Sequence, residues 1–301
     1  MKWWKCVPVK SWRRFLKAKF ELLPVHVKVA SELKAYMSGE EWAANLNLAT
    51  RFGSVKEGER VIWQFWDKGE ENAPPIVRRC LQSVCEFGGY RQVVLNDENF
   101  CEFVNLPECI VEKYKNGTIS KAHFSDILRV ALLCIYGGVW LDATVFLSAH
   151  PCEFEREFFV PQRSSVRPKD YMRWVKFSEG YFSWEREFGV KMSSSVMVCD
   201  VKSGEIFRES FNVLARYWAA ESSLKHYFLF QIAFNELLKK ECFGAFVLSE
   251  GDTEMHELQF VAKGKFDAAL WEAIRQKSSF HKLTYFKNLK NGSFVSVVLG
   301  L

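Results

Sequence analysis

Three charged side chains and one hydroxyl stand out in residues 125–145, "SDILRVALLCIYGGVWLDATV". Asp126 and Arg129 are the only charged residues between Ser125 and Gly137, inside an otherwise apolar helical pattern. On an exposed helix face, an i, i+3 Asp–Arg pair contributes only about 0.2–0.5 kcal/mol. Here the neighbours are "ILRVALLCIY", so Arg129 faces apolar surroundings, and a buried charge without a partner is costly. Asp126 is one expected partner and an anionic ligand is the other. Asp142 closes the apolar strand that follows, where a carboxylate can bind a hard divalent cation, a sugar hydroxyl, or both. Between helix and strand, Gly137-Gly138 lets the backbone turn sharply and come close to a ligand. After Asp142, Ala143-Thr144 carries no evident turn signal, and Asp142 is read as a strand end.

These residues need elements to hold them. "RVIWQFW" at 60–66 reads as a strand, the charged segment "DKGEENAPP" as a loop, and Ile76 to about Phe87 as a helix. "RQVVLN" is a second strand, with short helices near 98–114, a long helix from about Ser120 to Tyr136, and the strand "GVWLDA". Further on, "EFFVPQ" and "SSVMVCD" read as strands, and residues 204–220, 224–240 and 266–277 as helices. This alternation predicts an α/β fold with a mostly parallel central sheet flanked by helices. Ligands of such sheets bind beyond the carboxyl ends of the strands, where Asp142 and Trp66 fall.

A chain of 301 residues can bury a substantial core, and its 49% hydrophobic and 26% charged content is that of a globular protein. Nine cysteines include no CxxC pair, and apolar neighbours such as "LLCIY" and "VMVCD" suit buried thiols in a reducing compartment rather than a zinc site. The expected location is cytoplasmic, because the chain has neither a transmembrane run nor a signal-peptide apolar region. The first 20 residues, "MKWWKCVPVKSWRRFLKAKF", hold seven Lys/Arg, no acid, and Trp3, Trp4, Trp12, Phe15 and Phe20. Such a segment suits peripheral contact with an anionic membrane; the alternative is a basic helix packing its aromatics on the main domain. Residues 1–55 read as a basic helical N-terminal extension and 56–301 as the main domain. The formal charge is +5 with this segment supplying +7, so the remainder is slightly acidic and no nucleic-acid partner is expected.

"FSDILRVALLCIYGGVWLDATV" resembles the core motif of GT-A glycosyltransferases that use a DxD-type acid. It is most similar to the bacterial capsular polysaccharide synthesis protein family, related to the DXD sugar transferases of glycosyltransferase family 32 and, more distantly, to the large clostridial glucosylating toxins. "VIWQFWDKG" (61–69), "LKHYFLFQIAF" (224–234) and "SSFHKLTYFK" (278–287) match in the same order. The resemblance implies a GT-A (Rossmann-like) fold that moves a sugar from a nucleotide-diphosphate donor, expected to be a UDP-sugar, with retention of configuration. The acceptor would be a growing surface polysaccharide (capsule or lipopolysaccharide), as a saccharide or lipid-linked saccharide. It implies that Trp66 stacks on the uracil, that Asp126 and Arg129 contact donor sugar, ribose or phosphate, and that Asp142 is the first DxD acid. Thr144 departs from the pattern, standing where the toxins have a second aspartate. A divalent cation, Mn²⁺ or Mg²⁺, would be held by Asp142, Thr144 and His281, with Lys282 neutralising the diphosphate; an imidazole ligand would favour Mn²⁺.

Other readings remain beside this one. A sugar-phosphate transferase of the same pathway would need a further phosphate-binding cluster, and the chain has no Gly-rich P-loop. A nucleotide-sugar-binding scaffold without turnover is the non-enzymatic reading, to which Thr144 is the pointer. "EGDTEMHELQF" groups Asp252, Glu254, His256 and Glu257 without HExxH spacing and is read as a polar loop. His226, Tyr227 and Gln231 are candidates for an acceptor cleft, and Ser193–Ser195 for the donor sugar pocket, although a plain loop is expected there.

Overall fold

The computed structural model describes residues 5, 8–48, 55–56, 58–201, 204–286 and 289–301. Trp3 and Trp4 lie outside the described residues. The chain begins with α1 (Lys10–Lys17) and α2 (Leu23–Leu33), then β1 (Val61–Phe65), α3 (Pro75–Phe87), β2 (Arg91–Leu95) and α4 (Glu108–Lys115). Next come α5 (Lys121–Tyr136), β3 (Gly138–Leu141), β4 (Val145–Leu147), β5 (Phe158–Phe159), β6 (Pro161–Gln162) and α6 (Tyr171–Phe177). The remainder is β7 (Val196–Cys199), α7 (Glu205–Ala220), α8 (Leu229–Leu237), β8 (Ser249–Glu250), α9 (Glu257–Val261), α10 (Ala268–Arg275), β9 (Phe280–Lys282) and α11 (Phe294–Leu299).

The central sheet has the order β2-β1-β3-β7-β5. β1 is parallel to β2 and β3, β7 runs against β3, and β5 runs against β7. Four of the five strands therefore point the same way, as the alternation of elements predicts. β1 is buried along its whole length because both faces of the sheet are covered. Val61, Trp63 and Phe65 enter the core shared with α5 and α7. Ile62 joins Val139, Leu141, Val196 and Val198 on the other face. Full burial of side chains this large stabilises the fold by about 1.5–3 kcal/mol each.

α5 explains its own composition. It is packed between β1 and β3 on one side and α7 on the other, so ten of its residues are buried and little polar surface is called for. The helix stops at Gly137, whose φ of 64° ends it, and Gly138 follows at φ 91°. A Cβ on Gly138 would sit 2.3 Å from the Val61 carbonyl oxygen, so β3 approaches β1 as closely as it does only because no side chain intervenes.

Three features depart from the sequence reading. Asp142–Val145 is a tight turn, with the Val145 amide donating to the Asp142 carbonyl at 2.8 Å. The turn feeds β4, which pairs antiparallel with β9 and so brings the end of the chain back to the site. The helix expected from 224 starts at Leu229. Val29 and Leu33 of α2, with Ala43 and Leu46, lie in the same core as Trp63 and Phe124. All eight described cysteines are free, but only Cys80 and Cys199 are buried and four are exposed, so apolar neighbours overstated their burial.

Candidate active site

Arg129 is the centre of the site, and its side chain is 4% exposed. Its Nη1 donates to Asp126 Oδ1, and its Nη2 to Asp142 Oδ1 at 2.8 Å and to Ser125 Oγ at 3.3 Å. The guanidinium carbon lies 5.0 Å from the centre of the Trp140 ring and 5.8 Å from that of Phe230. Trp140 and Asp142 are two residues apart at a strand end, and the Trp140 indole donates to the same Oδ1 at 3.0 Å. Trp140 was not singled out in the sequence, although the i, i+2 spacing in a strand was the signal that could have found it.

Lys282 completes the cluster from the far end of the chain. β9 pairs with β4 so that Lys282 lies opposite Val145, and the Leu283 amide donates to the Thr144 carbonyl at 2.9 Å. The ammonium is 3.3 Å from Asp142 Oδ2 and hydrogen-bonds the Thr144 hydroxyl. Two carboxylates and two cations thus form a balanced group at the carboxyl end of β3.

Burial disfavours the charge on both acids, but the balance against the neighbouring cations differs. Burial raises Asp126, against the pull of Arg129, from 3.8 to about 6. Burial also opposes the charge on Asp142, which is 22% exposed, but Lys282 and Arg129 together outweigh it and hold the carboxyl well below its ordinary range.

Trp66 follows β1 directly. From the pairing of Trp63 with Trp140, it stands level with Ala143 at the same sheet edge and packs against the cluster containing that residue. Its indole nitrogen is buried with no hydrogen-bond partner among the described residues. Tyr285 meets the Trp66 ring edge-on, centroids 6.2 Å apart, and is itself exposed. Ser195 pairs with Asp142 through its carbonyl, 2.9 Å from the Asp142 amide, and its side chain favours the charged form of the carboxyl. Residues 193–195 form a loop, and Gln231 ties it to α8 by donating to Ser194 Oγ at 2.9 Å. Exposed Tyr227 lies within electrostatic reach of Asp126 and Asp142. His226 does not join it: its ring packs on His26, 4.4 Å between centroids.

The structure does not bring His281 to the acids. Adjacent strand residues point to opposite faces, so with Lys282 turned to Asp142, His281 turns into the core. It is fully buried, its Nε2 is 3.0 Å from Ser148 Oγ, and burial lowers it from 6.5 to about 3. The remaining donors do not fit a divalent cation. Asp142 Oδ1 already receives Arg129 and Trp140, Oδ2 faces Lys282, and the Thr144 hydroxyl is engaged by the same ammonium. Among the described residues no group of three or more His, Cys, Asp or Glu is placed to hold a metal.

Asp252 and His256 are not in a polar loop but buried. Asp252 is 3.3 Å from Arg163 Nη1 and accepts from the Tyr181 hydroxyl at 2.7 Å, while its carbonyl is 2.6 Å from His256 Nδ1. Their polar sequence context hid this, since each is satisfied by partners distant in sequence or by the other.

A charged group at the carboxyl ends of parallel strands, flanked by an aromatic with an unpaired indole nitrogen, sits in an α/β fold consistent with that of Rossmann-like glycosyltransferases. The chain belongs to the capsular polysaccharide synthesis protein family, whose sequence profile matches residues 17–298. It is similar to the O-glycosyltransferase braB of Annulohypoxylon truncatum, 33% identical over 102 residues, covering 31% of this chain and 24% of that protein. It is also similar to the O-glycosyltransferase PaGT of Phomopsis amygdali (31% identical, 30% of this chain, 25% of that protein). Glycosyltransferase afumC of Aspergillus fumigatus is 30% identical, over 29% of this chain and 25% of its own. The chain thus spans about a quarter of the length of these relatives. No solved structure matches it significantly.

The raised Asp126 carboxyl has a measurable consequence. A group whose folded pKa is raised contributes stability below its unfolded value and loses that contribution as pH rises through the folded one. The displacement from 3.8 to about 6 corresponds to about 3 kcal/mol. Asp126→Asn removes this titration, so its melting temperature should gain on wild type between about pH 4 and pH 6 and level off above. A difference constant across that range would show that Asp126 titrates normally.

Proposed function

We propose that the protein is a glycosyltransferase that takes a sugar from a UDP-sugar and passes it, with retention of configuration, to a hydroxyl of a surface-polysaccharide acceptor, free or lipid-linked. The observation that carries this reading is Asp142, held at the end of β3 between Arg129 and Lys282 in a chain of the capsular polysaccharide synthesis family. The names of the relatives, all glycosyltransferases, support it.

The chemistry suits these groups. Cleaving the bond from the anomeric carbon to the diphosphate leaves negative charge on the departing oxygens, while the sugar ring becomes oxocarbenium-like. Arg129 and Lys282 stabilise the first of these charges; preorganised charge of this kind is usually the largest catalytic contribution. Asp142 fixes both cations before substrate arrives, so little reorganisation is needed at the moment of reaction. Trp66 offers a ring for the base and a free indole donor, with Tyr285 beside it. Ser195 and Tyr227 flank the acids on the side where sugar and acceptor would lie.

Peripheral membrane contact is part of the proposal. Among the described residues no helix is long and apolar enough to cross a membrane. Trp12 and Phe20 are 57% and 51% exposed, alongside exposed Lys5, Arg13 and Lys19, which suits an anionic lipid surface.

Hydrolysis of UDP-, GDP- and CMP-sugars tests the donor reading, with UDP-sugars expected to turn over. Arg129→Lys should lower donor kcat/KM by about a hundredfold, since a point charge cannot replace a fork shared by two carboxylates. Kinetics within about twofold of wild type would reduce Arg129 to a structural partner of Asp126.

For the membrane contact, the pair Trp12→Ser and Phe20→Ser should weaken binding to phosphatidylserine vesicles by about tenfold or more in a protein that still unfolds cooperatively. Vesicle binding that is unchanged, or indifferent to salt, would remove this surface as the anchor.

A further inference from the structure

We propose that the Lys282 ammonium fills the place a divalent cation would take, so that the protein binds a nucleoside diphosphate without metal. This rests on the donor reading above and deepens it. Lys282 is the only group that touches both Asp142 and Thr144 among the described residues: its Nζ is 3.3 Å from Asp142 Oδ2 and hydrogen-bonds the Thr144 hydroxyl. Those are two of the three residues from which a cation site would be expected. The third, His281, faces the core on the opposite side of β9.

The ammonium is placed by backbone, not by chance rotation of a surface side chain. β4–β9 pairing sets Lys282 against Val145, and the hydrogen bond from Leu283 to Thr144 extends that register to the turn itself. The side chain is only 20% exposed, and its ammonium is held by Asp142 and Thr144. On the far side of Asp142, Arg129 and Trp140 take up Oδ1. A divalent ion joining Asp142 would have to lie close to two fixed cations, with one carboxylate oxygen and a neutral hydroxyl as ligands. Diphosphate oxygens meet no such repulsion from these groups.

Thr144 gains a physical explanation. A second carboxylate at 144 would favour a metal over an ammonium. A hydroxyl instead accepts one hydrogen bond from Lys282 and sets no second negative charge against an incoming diphosphate. With Asp126 and Arg129 balancing each other, Lys282 and Asp142 form a neutral pair that a diphosphate can enter by drawing the ammonium partly toward itself.

The test is calorimetry of the full chain with UDP and with pyrophosphate, in EDTA and in Mn²⁺, joined to electron paramagnetic resonance of Mn²⁺ without nucleotide. Wild type should bind UDP in EDTA with a Kd within about twofold of that in Mn²⁺, and should take up no Mn²⁺ alone. Lys282→Met should weaken UDP and pyrophosphate about tenfold or more in EDTA. Lys282→Met combined with Thr144→Asp should acquire Mn²⁺ binding and recover UDP affinity only in its presence. UDP binding by wild type that appears only with Mn²⁺, or tightens about tenfold on its addition, would overturn the assignment while leaving the nucleotide site in place. Failure to bind UDP under either condition would overturn the donor reading itself. The wild-type comparison decides the matter even where a variant does not fold.

Discussion

A single guanidinium buried among apolar side chains constrains this site. Arg129 is almost without solvent, and its charge can persist there only because Asp126 and Asp142 both meet it. That requirement fixes the relation of α5 to β3: the helix must present Arg129 toward the strand end, and the strand must finish there on an acid. Gly137-Gly138 makes the geometry reachable, since β3 has to fold back tightly against β1 immediately after the helix stops. Trp140 then covers one face of the guanidinium and binds the same carboxylate oxygen. Removing one partner of such a group would leave a charge stranded, so the cluster is held as a unit.

The arrangement also accounts for how one acid can be weakened and its neighbour strengthened within a few ångströms. Asp126 sits deeper, and desolvation prevails over its one close cation. Asp142 lies nearer the surface between two cations, which prevail over desolvation. Only the second is a fixed negative charge throughout the neutral range and well below it. It therefore preorganises the cations that a departing diphosphate would need, while the apolar body of the protein keeps them from being solvated away.

Much of this was legible in the sequence, and the exceptions have a common cause. β1, α3, β2, α5, β3 and α7 each carry a local pattern strong enough to place them, and Asp126, Arg129 and Asp142 were legible because charge within an apolar run is conspicuous. Trp66 was legible as the residue ending a parallel strand. What escaped was set by pairing across long sequence separations. The three-residue strands β4 and β9 are too short to show a period, yet their pairing carries Lys282 to Asp142 and turns His281 inward. The turn at Asp142–Val145 has one weak signal in the sequence, since Asp is favoured at the first position of such turns. Asp252 and His256 looked polar and exposed because Arg163 and Tyr181, which satisfy Asp252, lie 89 and 71 residues away in the chain.

The central claim is that the charge of Asp142 organises a donor diphosphate site, and the most direct measurement is donor-sugar turnover by Asp142→Asn with its melting curve recorded alongside. Asparagine keeps the shape and one acceptor oxygen, removes the charge, and replaces the second acceptor with an amide donor. The account predicts a fall in turnover of about a hundredfold or more in a protein that still unfolds cooperatively. Turnover close to wild type in the folded variant would contradict it.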